Sequence, residues 1–321
     1  MTSHDASERY HQLNSKLSAE IFDGKYILRA YQNASFAIYD IAMGLQQYLS
    51  HKNHLGLVKN GSSLIEGLTP FWLRQGLPLQ LKLESQSWFE FIETLNSETN
   101  FVVWSSENEI TGEVIVSEKE CLEIHERLSK KRIFSIQVTE QLITSLTLPN
   151  YAVIILRKSI LNDDACLVVM SEKMKALSVI GSYQSLDFAR LFSQAAAQLN
   201  STTDLKQLEK NLEQKSLYYV HYAMVPARLS DRVVFNFKDI SGAALKEDLG
   251  LNDRLAFAPS QCPFWILQSW KNWWKEAESE ALIRGLCIVS LEAFKNDAQL
   301  PDRIKASVDK IRRLSQWNVL S

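Results

Sequence analysis

Short apolar runs alternate with amphipathic segments between about residue 54 and residue 170, and this alternation constrains the fold more than any other feature. Runs that are apolar throughout are typical of strands buried on both faces of a sheet. Their regular alternation with helical patterns predicts an α/β class, with a mostly parallel sheet flanked by helices. The apolar runs are HLGLVK (54–59), NFVVWS (100–105), RIFSIQV (132–138), NYAVIIL (150–156) and ACLVVM (165–170).

A polar stretch, SSENEITGEVIVSEKE (105–120), separates one of these strands from the next helix. Thr111 and Gly112 predict a turn, and Ser117 and Glu120 have the spacing of a capping box. We therefore expect a helix over 118–129, with His125 on its exposed face. The stretch returns the chain so that the following strand can run parallel to the previous one.

The pattern changes after about residue 180, where a long helical segment precedes shorter strands and helices. The pattern along the whole chain therefore predicts three parts. They are an N-terminal helical segment (1–35), a large α/β domain (36–185) and a long helix with a small α+β C-terminal domain (186–321). The later segments include GLCIVSLEAF as a strand and a closing helix that begins at PDRIKASVDKIRRL. A predicted helix over 263–281 carries a tryptophan-rich face between Trp265 and Trp274, which is typical of core packing or of a partner-binding surface.

Composition excludes several classes of partner. The chain has 321 residues, 35 basic and 37 acidic, for a net charge of −2. Neither nucleic acid nor an anionic membrane is expected, because both select basic surfaces. No signal peptide or membrane span is expected, so we predict a cytoplasmic protein whose four cysteines are free thiols. The six histidines do not cluster, and no metal site is predicted.

Three segments of the sequence resemble the large domain of the fold-type I pyridoxal-phosphate (PLP) enzymes, the class I/II aminotransferases. The 55–84 segment is similar to the first strand, the Gly-Ser phosphate turn and the helix after it. The 101–142 segment resembles the strand, the N-P-T-G turn, the helix and the strand that ends in two acids. The 151–170 segment resembles the strand that leads to the Schiff-base lysine and the strand beyond it.

The resemblance implies a role for each matching position. Gly61, Ser62 and Ser63 would hold the cofactor phosphate at a helix N-terminus. Asn108 and Thr111 belong to the turn that contacts the cofactor ring, and Thr139 stands where an aspartate would bind the pyridine nitrogen. The resemblance also implies a C-terminal arginine that binds the substrate carboxylate, and Arg284 lies near that position.

The sequence departs from the family pattern where the chemistry is done. Thr139 is a hydroxyl where the pyridine-binding acid belongs, although Glu140 matches the acid that follows it. Leu161 aligns with the Schiff-base lysine, and Lys158 lies three residues earlier. In the turn, Glu109 and Ile110 replace asparagine and proline, and Asn108 is one residue early. These losses fall in three separate segments.

Three hypotheses follow. The first is a catalytically degenerate aminotransferase-like protein, a pseudoenzyme without cofactor, with a binding, regulatory or structural role. The second is a divergent but active PLP-dependent transferase that uses Lys158, with Glu140 or Glu109 as its acid. The third is an unrelated α/β binding module. The resemblance also implies a homodimer, and a protein partner or a small anionic ligand is expected under the first hypothesis.

Overall fold

The computed structural model describes two compact units, one within Met1–Asn108 and Val114–Ala197 and the other within Gln198–Ser321. The described residues are 15, 18–19, 24–31, 33–48, 54–57, 65, 78–82, 86–108, 114–140, 148–157, 166–171, 174, 219–221, 232–237, 240–253, 255–258 and 284–318. The tryptophan-rich segment between Trp265 and Trp274 lies outside them, as does Cys262. The domain boundaries at residues 35 and 185 stay predictions.

A seven-stranded, mostly parallel sheet forms the first unit, as the alternation of strands and helices predicts. The strand order is β1-β7-β6-β5-β4-β2-β3, and β2 to β6 pair in parallel while β7 runs antiparallel to β6. The strands are β1 (Ile27–Tyr31), β2 (His54–Leu57), β3 (Leu79–Leu81), β4 (Thr99–Ser105), β5 (Phe134–Thr139), β6 (Ala152–Arg157) and β7 (Cys166–Met170).

Strand β1 lies in the segment that the sequence analysis assigned to an N-terminal helix. It pairs antiparallel with β7 at the edge of the large sheet, so residues 27–31 belong to the α/β unit. The side chain of Tyr31 explains the placement, because its hydroxyl donates to Asp40 at 2.5 Å and both side chains are fully buried. The strand was not predicted because KYILRAY contains few β-branched residues, and because a short edge strand shows little alternation of apolar and polar residues.

Helices cover both faces of this sheet. Helix α1 (Ala34–Tyr48) packs on one face, where its residues Ile38, Ile41 and Leu45 are buried with the side chains of β4, β5 and β6. Helices α2 (Trp88–Thr94) and α3 (Glu118–Lys130) pack on the other face around Trp104. Both of these helices begin with the Ser-x-x-Glu capping box, and the box at Ser117 and Glu120 confirms the sequence prediction.

A four-stranded antiparallel sheet forms the second unit, in the order β10-β11-β9-β8. The strands are β8 (Tyr219–His221), β9 (Arg232–Phe237), β10 (Ala256–Phe257) and β11 (Leu286–Ser290), and the helices are α4 (Gly242–Asp248), α5 (Leu291–Asn296) and α6 (Leu300–Asn318). The prediction of a strand over all of GLCIVSLEAF is wrong in its second half. Ser290 ends the strand and caps α5, since its hydroxyl accepts a hydrogen bond from the Ala293 amide.

Among the described residues, no helix is both long enough and apolar enough to cross a membrane. Cys121, Cys166 and Cys287 are buried and are not in disulfides, which agrees with the thiols expected from their spacing. Each of them lies in a secondary structure element rather than in a loop.

Candidate functional site

The carboxyl ends of β4, β5 and β6 meet at one edge of the large sheet, because these three neighbouring strands are parallel. Polar residues occupy this edge, which we call the carboxyl edge. Its described members are Ser105, Ser106, Glu107, Asn108, Thr139, Glu140 and Arg157. Six of the seven residues are buried and the side chain of Glu140 is 3% exposed, so their polar groups interact away from bulk water, where hydrogen bonds and charges act more strongly.

Thr139 and Glu107 contact each other directly across the ends of β5 and β4. The Thr139 hydroxyl donates a short hydrogen bond to Oε1 of Glu107, and both side chains are buried. The backbone of Glu107 is fixed on either side: its amide donates to Oγ of Ser105 at 3.3 Å, and that hydroxyl donates to the Glu107 carbonyl at 2.9 Å. Glu107 also forms an antiparallel bridge with Val114. The carboxylate therefore reaches the end of β5 from a well-determined position.

Glu140 and Arg157 form an ion pair at the same edge. Nη2 of Arg157 lies 3.0 Å from Oε1 of Glu140, and the two side chains are only 6% and 3% exposed. A buried carboxylate is costly unless a cation compensates its charge, and Arg157 supplies that cation at the end of the adjacent strand. Glu140 is thus committed to a neighbour within the chain.

A buried polar network lies beneath the carboxyl edge, on the face of β5 that packs against α3. The Gln137 amide connects it: Oε1 lies 2.8 Å from Nε2 of His125, and Nε2 donates to Oγ of Ser106 at 2.9 Å and to Sγ of Cys121 at 3.5 Å. One strand position earlier on this face, Ser135 accepts a hydrogen bond from the Trp104 indole at 2.9 Å. The network joins α3 to the residues that follow β4.

The prediction that His125 lies on the exposed face of α3 is wrong, because its ring is completely buried. The helical pattern predicts exposure for a polar residue such as His125. Its burial depends on a hydrogen-bond partner, Gln137, which lies on the buried face of β5 and is not apparent from the helix sequence. Burial lowers the pKa of His125 to about 4, although the hydrogen bond that its ring donates to Gln137 opposes the shift. Burial also raises the pKa of Cys121 to about 12, and the negative charge of Glu107 adds to that rise.

The structure describes three of the residues that the sequence singled out for cofactor or substrate binding. Asn108 is buried at the carboxyl edge directly after Glu107, and Thr139 is buried at the end of β5. Arg284 is exposed just before β11 in the second unit. Gly61, Ser62, Ser63, Thr111 and Lys158 lie outside the described residues, as does Glu109, so their assigned roles stay predictions.

Sequence reasoning missed Glu107, although a signal for it was present. The residue follows a buried strand within the polar triplet Ser106 to Asn108, just as Thr139 and Glu140 end the next strand. Polar residues after adjacent parallel strands meet at one edge of a sheet, so their side chains come close together. The family pattern drew attention to the turn after residue 108 and away from this carboxylate.

The described carboxyl edge fits a pyridine ring only in an altered form. A protonated ring nitrogen donates a hydrogen bond, and Oγ1 of Thr139 can accept it, since the hydroxyl proton is already given to Glu107. A threonine hydroxyl carries no charge, so it stabilises a ring proton less than a direct carboxylate would. The nearest carboxylate, that of Glu107, reaches this position through the hydroxyl.

No family model matches the chain, and no curated protein matches its sequence. Solved structures do match. A NifS-like protein has a TM-score of 0.66 at 11% identity over 98% of this chain and 89% of its own. A NifS-like protein from Rickettsia africae ESF-5 has a TM-score of 0.63 at 11% identity, over 97% of this chain and 89% of its own. The histidinol-phosphate aminotransferase from Clostridium acetobutylicum has a TM-score of 0.60 at 10% identity, over 94% and 90% of the two chains.

Identities this low show a shared fold and leave activity undetermined, since one fold serves many functions. The matches extend over nearly the whole chain, and the large sheet is mostly parallel and flanked by helices, as the sequence resemblance predicts. The chain therefore has the fold of the fold-type I pyridoxal-phosphate-dependent enzymes, the aminotransferase-like fold.

Proposed function

We propose that this chain is a catalytically degenerate aminotransferase-like protein, which uses the scaffold to bind a ligand and does not carry out transamination. The observation that carries the proposal is the Thr139 hydroxyl at the end of β5, which donates to Glu107 where the resemblance requires an acid. PLP, when bound in such a fold, serves as an electron sink, and that role depends on a positive charge at the ring nitrogen. A neutral hydroxyl supports that charge weakly.

The second acid of the predicted pair does not replace the first. Glu140 forms an ion pair with Arg157 at 3.0 Å, so moving it to another partner would leave a buried guanidinium without this carboxylate. Breaking a buried ion pair in this way costs about 3 to 5 kcal/mol. The described acids of the carboxyl edge thus serve interactions within the chain, which supports binding rather than catalysis.

The runner-up is a divergent active PLP-dependent transferase with Lys158 as its covalent lysine. One specific observation favours it: the Glu107 carboxylate lies one hydroxyl away from the position of the missing acid. Under this hypothesis the acid would be Glu107, in place of the Glu140 or Glu109 expected from the sequence. The observed fold gives no support to an unrelated α/β binding module, because that hypothesis requires a different sheet.

Borohydride trapping distinguishes the two functions. The purified protein is mixed with PLP, its absorption spectrum is recorded, and borohydride is added before peptide mapping. The degenerate protein gives no lysine carrying a reduced pyridoxyl group above the level of nonspecific surface labelling. A single labelled peptide that contains Lys158, lost in Lys158→Ala and retained in Lys119→Ala, would overturn our proposal and establish the runner-up.

The remaining expectations complete the proposal. A homodimer follows from the resemblance, and light scattering over a range of concentrations measures it directly. The cytoplasmic location and a small anionic ligand or protein partner rest on the sequence, with its free thiols and its net charge of −2. A protein that stays monomeric at every concentration would contradict the homodimer.

A further inference from the structure

The small sheet of the second unit has two faces, and its three described helices pack on one of them. Side chains alternate between the faces along a strand, and residues paired across antiparallel strands share a face. The first face forms a hydrophobic cluster with α4, α5 and α6, to which β9 and β11 contribute Val233, Phe235, Phe237, Cys287 and Val289. The alternate residues, among them Val234 and its partner Ile288, belong to the second face.

The second face is as deeply buried as the first. Val234, Leu286 and Ile288 have no exposed surface. A helix that packs on one face of a sheet cannot also cover the other face, because the sheet itself lies between them. The side chains that bury the second face therefore belong to residues outside α4, α5 and α6.

The connection between β10 and β11 is much longer than the pairing of these strands requires. They are antiparallel neighbours, and such strands are commonly joined by about two to five residues. Residues 258–285 connect them here, and both ends of this segment are described. Ala258 is fully buried directly after β10. Arg284 and Gly285 have helical backbone and lead directly into β11.

Gly285 places the end of this helical backbone beside the second face. A Cβ atom on Gly285 would lie 3.4 Å from both Cβ and Nδ2 of Asn236. Asn236 pairs with Leu286 and alternates with the first-face residues of β9, so its side chain belongs to the second face. The chain therefore enters β11 from the side of the second face.

The residues before Arg284 include the most tryptophan-rich part of the sequence. Four of the eight tryptophans lie between positions 265 and 274, and an apolar stripe recurs at helical spacing as Ile266, Trp270, Trp273, Trp274 and Ala277. One tryptophan buries about 150 to 250 Å² when it is covered, so this stripe exceeds the few hundred Å² of a typical exposed apolar patch. The stripe and the second face therefore both require an apolar cover.

We propose that the helix predicted over 263–281 packs its tryptophan stripe on the second face of the small sheet, within the same chain. The small sheet then has helices on both faces. The connection starts and ends at two neighbouring strands of this sheet, so the stripe reaches the second face without leaving the unit. This inference is independent of the proposed function. It assigns the stripe to the core, so the partner of the proposed function binds elsewhere.

Two neighbouring valines on β9 test the packing. Val233 and Val234 have no exposed surface and lie on opposite faces of the sheet. Each is changed to alanine, alone and together with Trp270→Phe or Trp273→Phe, and urea denaturation measures the unfolding equilibrium constant. For Val234→Ala with at least one tryptophan variant, we expect a departure of about fivefold or more from the product of the single effects. Val233→Ala should combine with both tryptophan variants within about twofold of that product.

Hydroxyl-radical footprinting of the wild type measures the burial of the stripe without any variant. The peptide that carries Trp270 to Trp274 should be oxidised about tenfold more slowly in the folded chain than in the denatured chain, at every protein concentration. Oxidation at the denatured rate would overturn the proposal, because the stripe would then be uncovered. Protection that is lost on dilution would overturn it in favour of a second copy as the cover. Coupling to Val233→Ala alone, or additivity with both valines, would also refute it.

Discussion

The imidazole of His125 lies between α3 and β5 with no exposed surface. Its Nε2 faces the carbonyl oxygen of the Gln137 side chain, which only accepts hydrogen bonds, so this nitrogen carries the proton of the neutral ring. Trp104 packs beside the ring with a centroid distance of 5.3 Å. Such surroundings favour a neutral imidazole, and they couple the protonation of one residue to the stability of the whole unit.

This coupling predicts a loss of stability in mild acid. Burial lowers the pKa of His125 to about 4 in the folded chain, so between that pKa and the ordinary histidine pKa of 6.5 the unfolded chain binds one more proton than the folded chain. The contribution is fully present above the unfolded pKa and decreases as the pH falls toward the folded one. The linkage amounts to about 3 kcal/mol over that range. Denaturant unfolding of wild type and His125→Leu should show a shallower pH dependence for the variant. Equal slopes between pH 6.5 and 4 would contradict the assignment.

At the scale of elements, the start of α3 is specified by two side chains. The Ser117 hydroxyl accepts from the Glu120 amide, and the Glu120 carboxylate accepts from the Ser117 amide at 3.0 Å and from its hydroxyl at 2.6 Å. These hydrogen bonds lower the pKa of Glu120. The cap fixes where the helix begins, and therefore which of its residues, Cys121 and His125 among them, face the polar side of β5.

Removal of this cap should cost about 1 kcal/mol of unfolding free energy in Ser117→Ala, because a helix N-terminus loses its side-chain acceptor. The matched control is Ser129→Ala in the last turn of the same helix, which should stay within a few tenths of a kcal/mol of the wild type. Chemical denaturation monitored by far-UV circular dichroism measures both variants. Equal losses in the two would show that Ser117 acts as an ordinary helix-surface residue.

At the scale of the whole molecule, periodicity and capping predicted most elements of the fold. Strands β4, β5, β6 and β7 occur where the apolar runs predicted them, because strands that are buried on both faces of a sheet carry mostly apolar side chains. Strand β1 and helix α5 were missed. A short edge strand has little periodicity, and the change from strand to helix at Ser290 depends on a hydroxyl cap rather than on hydrophobicity.

The candidate site was predicted less completely than the fold. Family position led to Thr139 and Asn108, and both lie at the carboxyl edge. The Glu107–Thr139 and Glu140–Arg157 contacts depend on which strands are neighbours and in which register, and a single sequence does not specify either. A polar residue within a strand can be exposed or buried, and the sequence does not distinguish the two cases. Gln137 and Ser135 are buried because His125 and Cys121 on α3 and Trp104 on β4 provide their hydrogen-bond partners.

Gly242 gives a prediction about how stability is divided between the two units. A Cβ atom at this first residue of α4 would lie 1.8 Å from the carbonyl oxygen of Leu286, so Gly242→Ala should push α4 away from β11. Overpacking of a core costs about 1 to 3 kcal/mol, and backbone atoms cannot move aside easily. Gly285→Ala, whose Cβ would lie 3.2 Å from the Ile240 carbonyl, should cost less.

Since each unit buries its own hydrophobic cluster, hydrogen exchange in Gly242→Ala should accelerate in β9 and β11 and stay slow in β4 to β6. Faster exchange throughout both sheets would show that the chain unfolds as one cooperative unit.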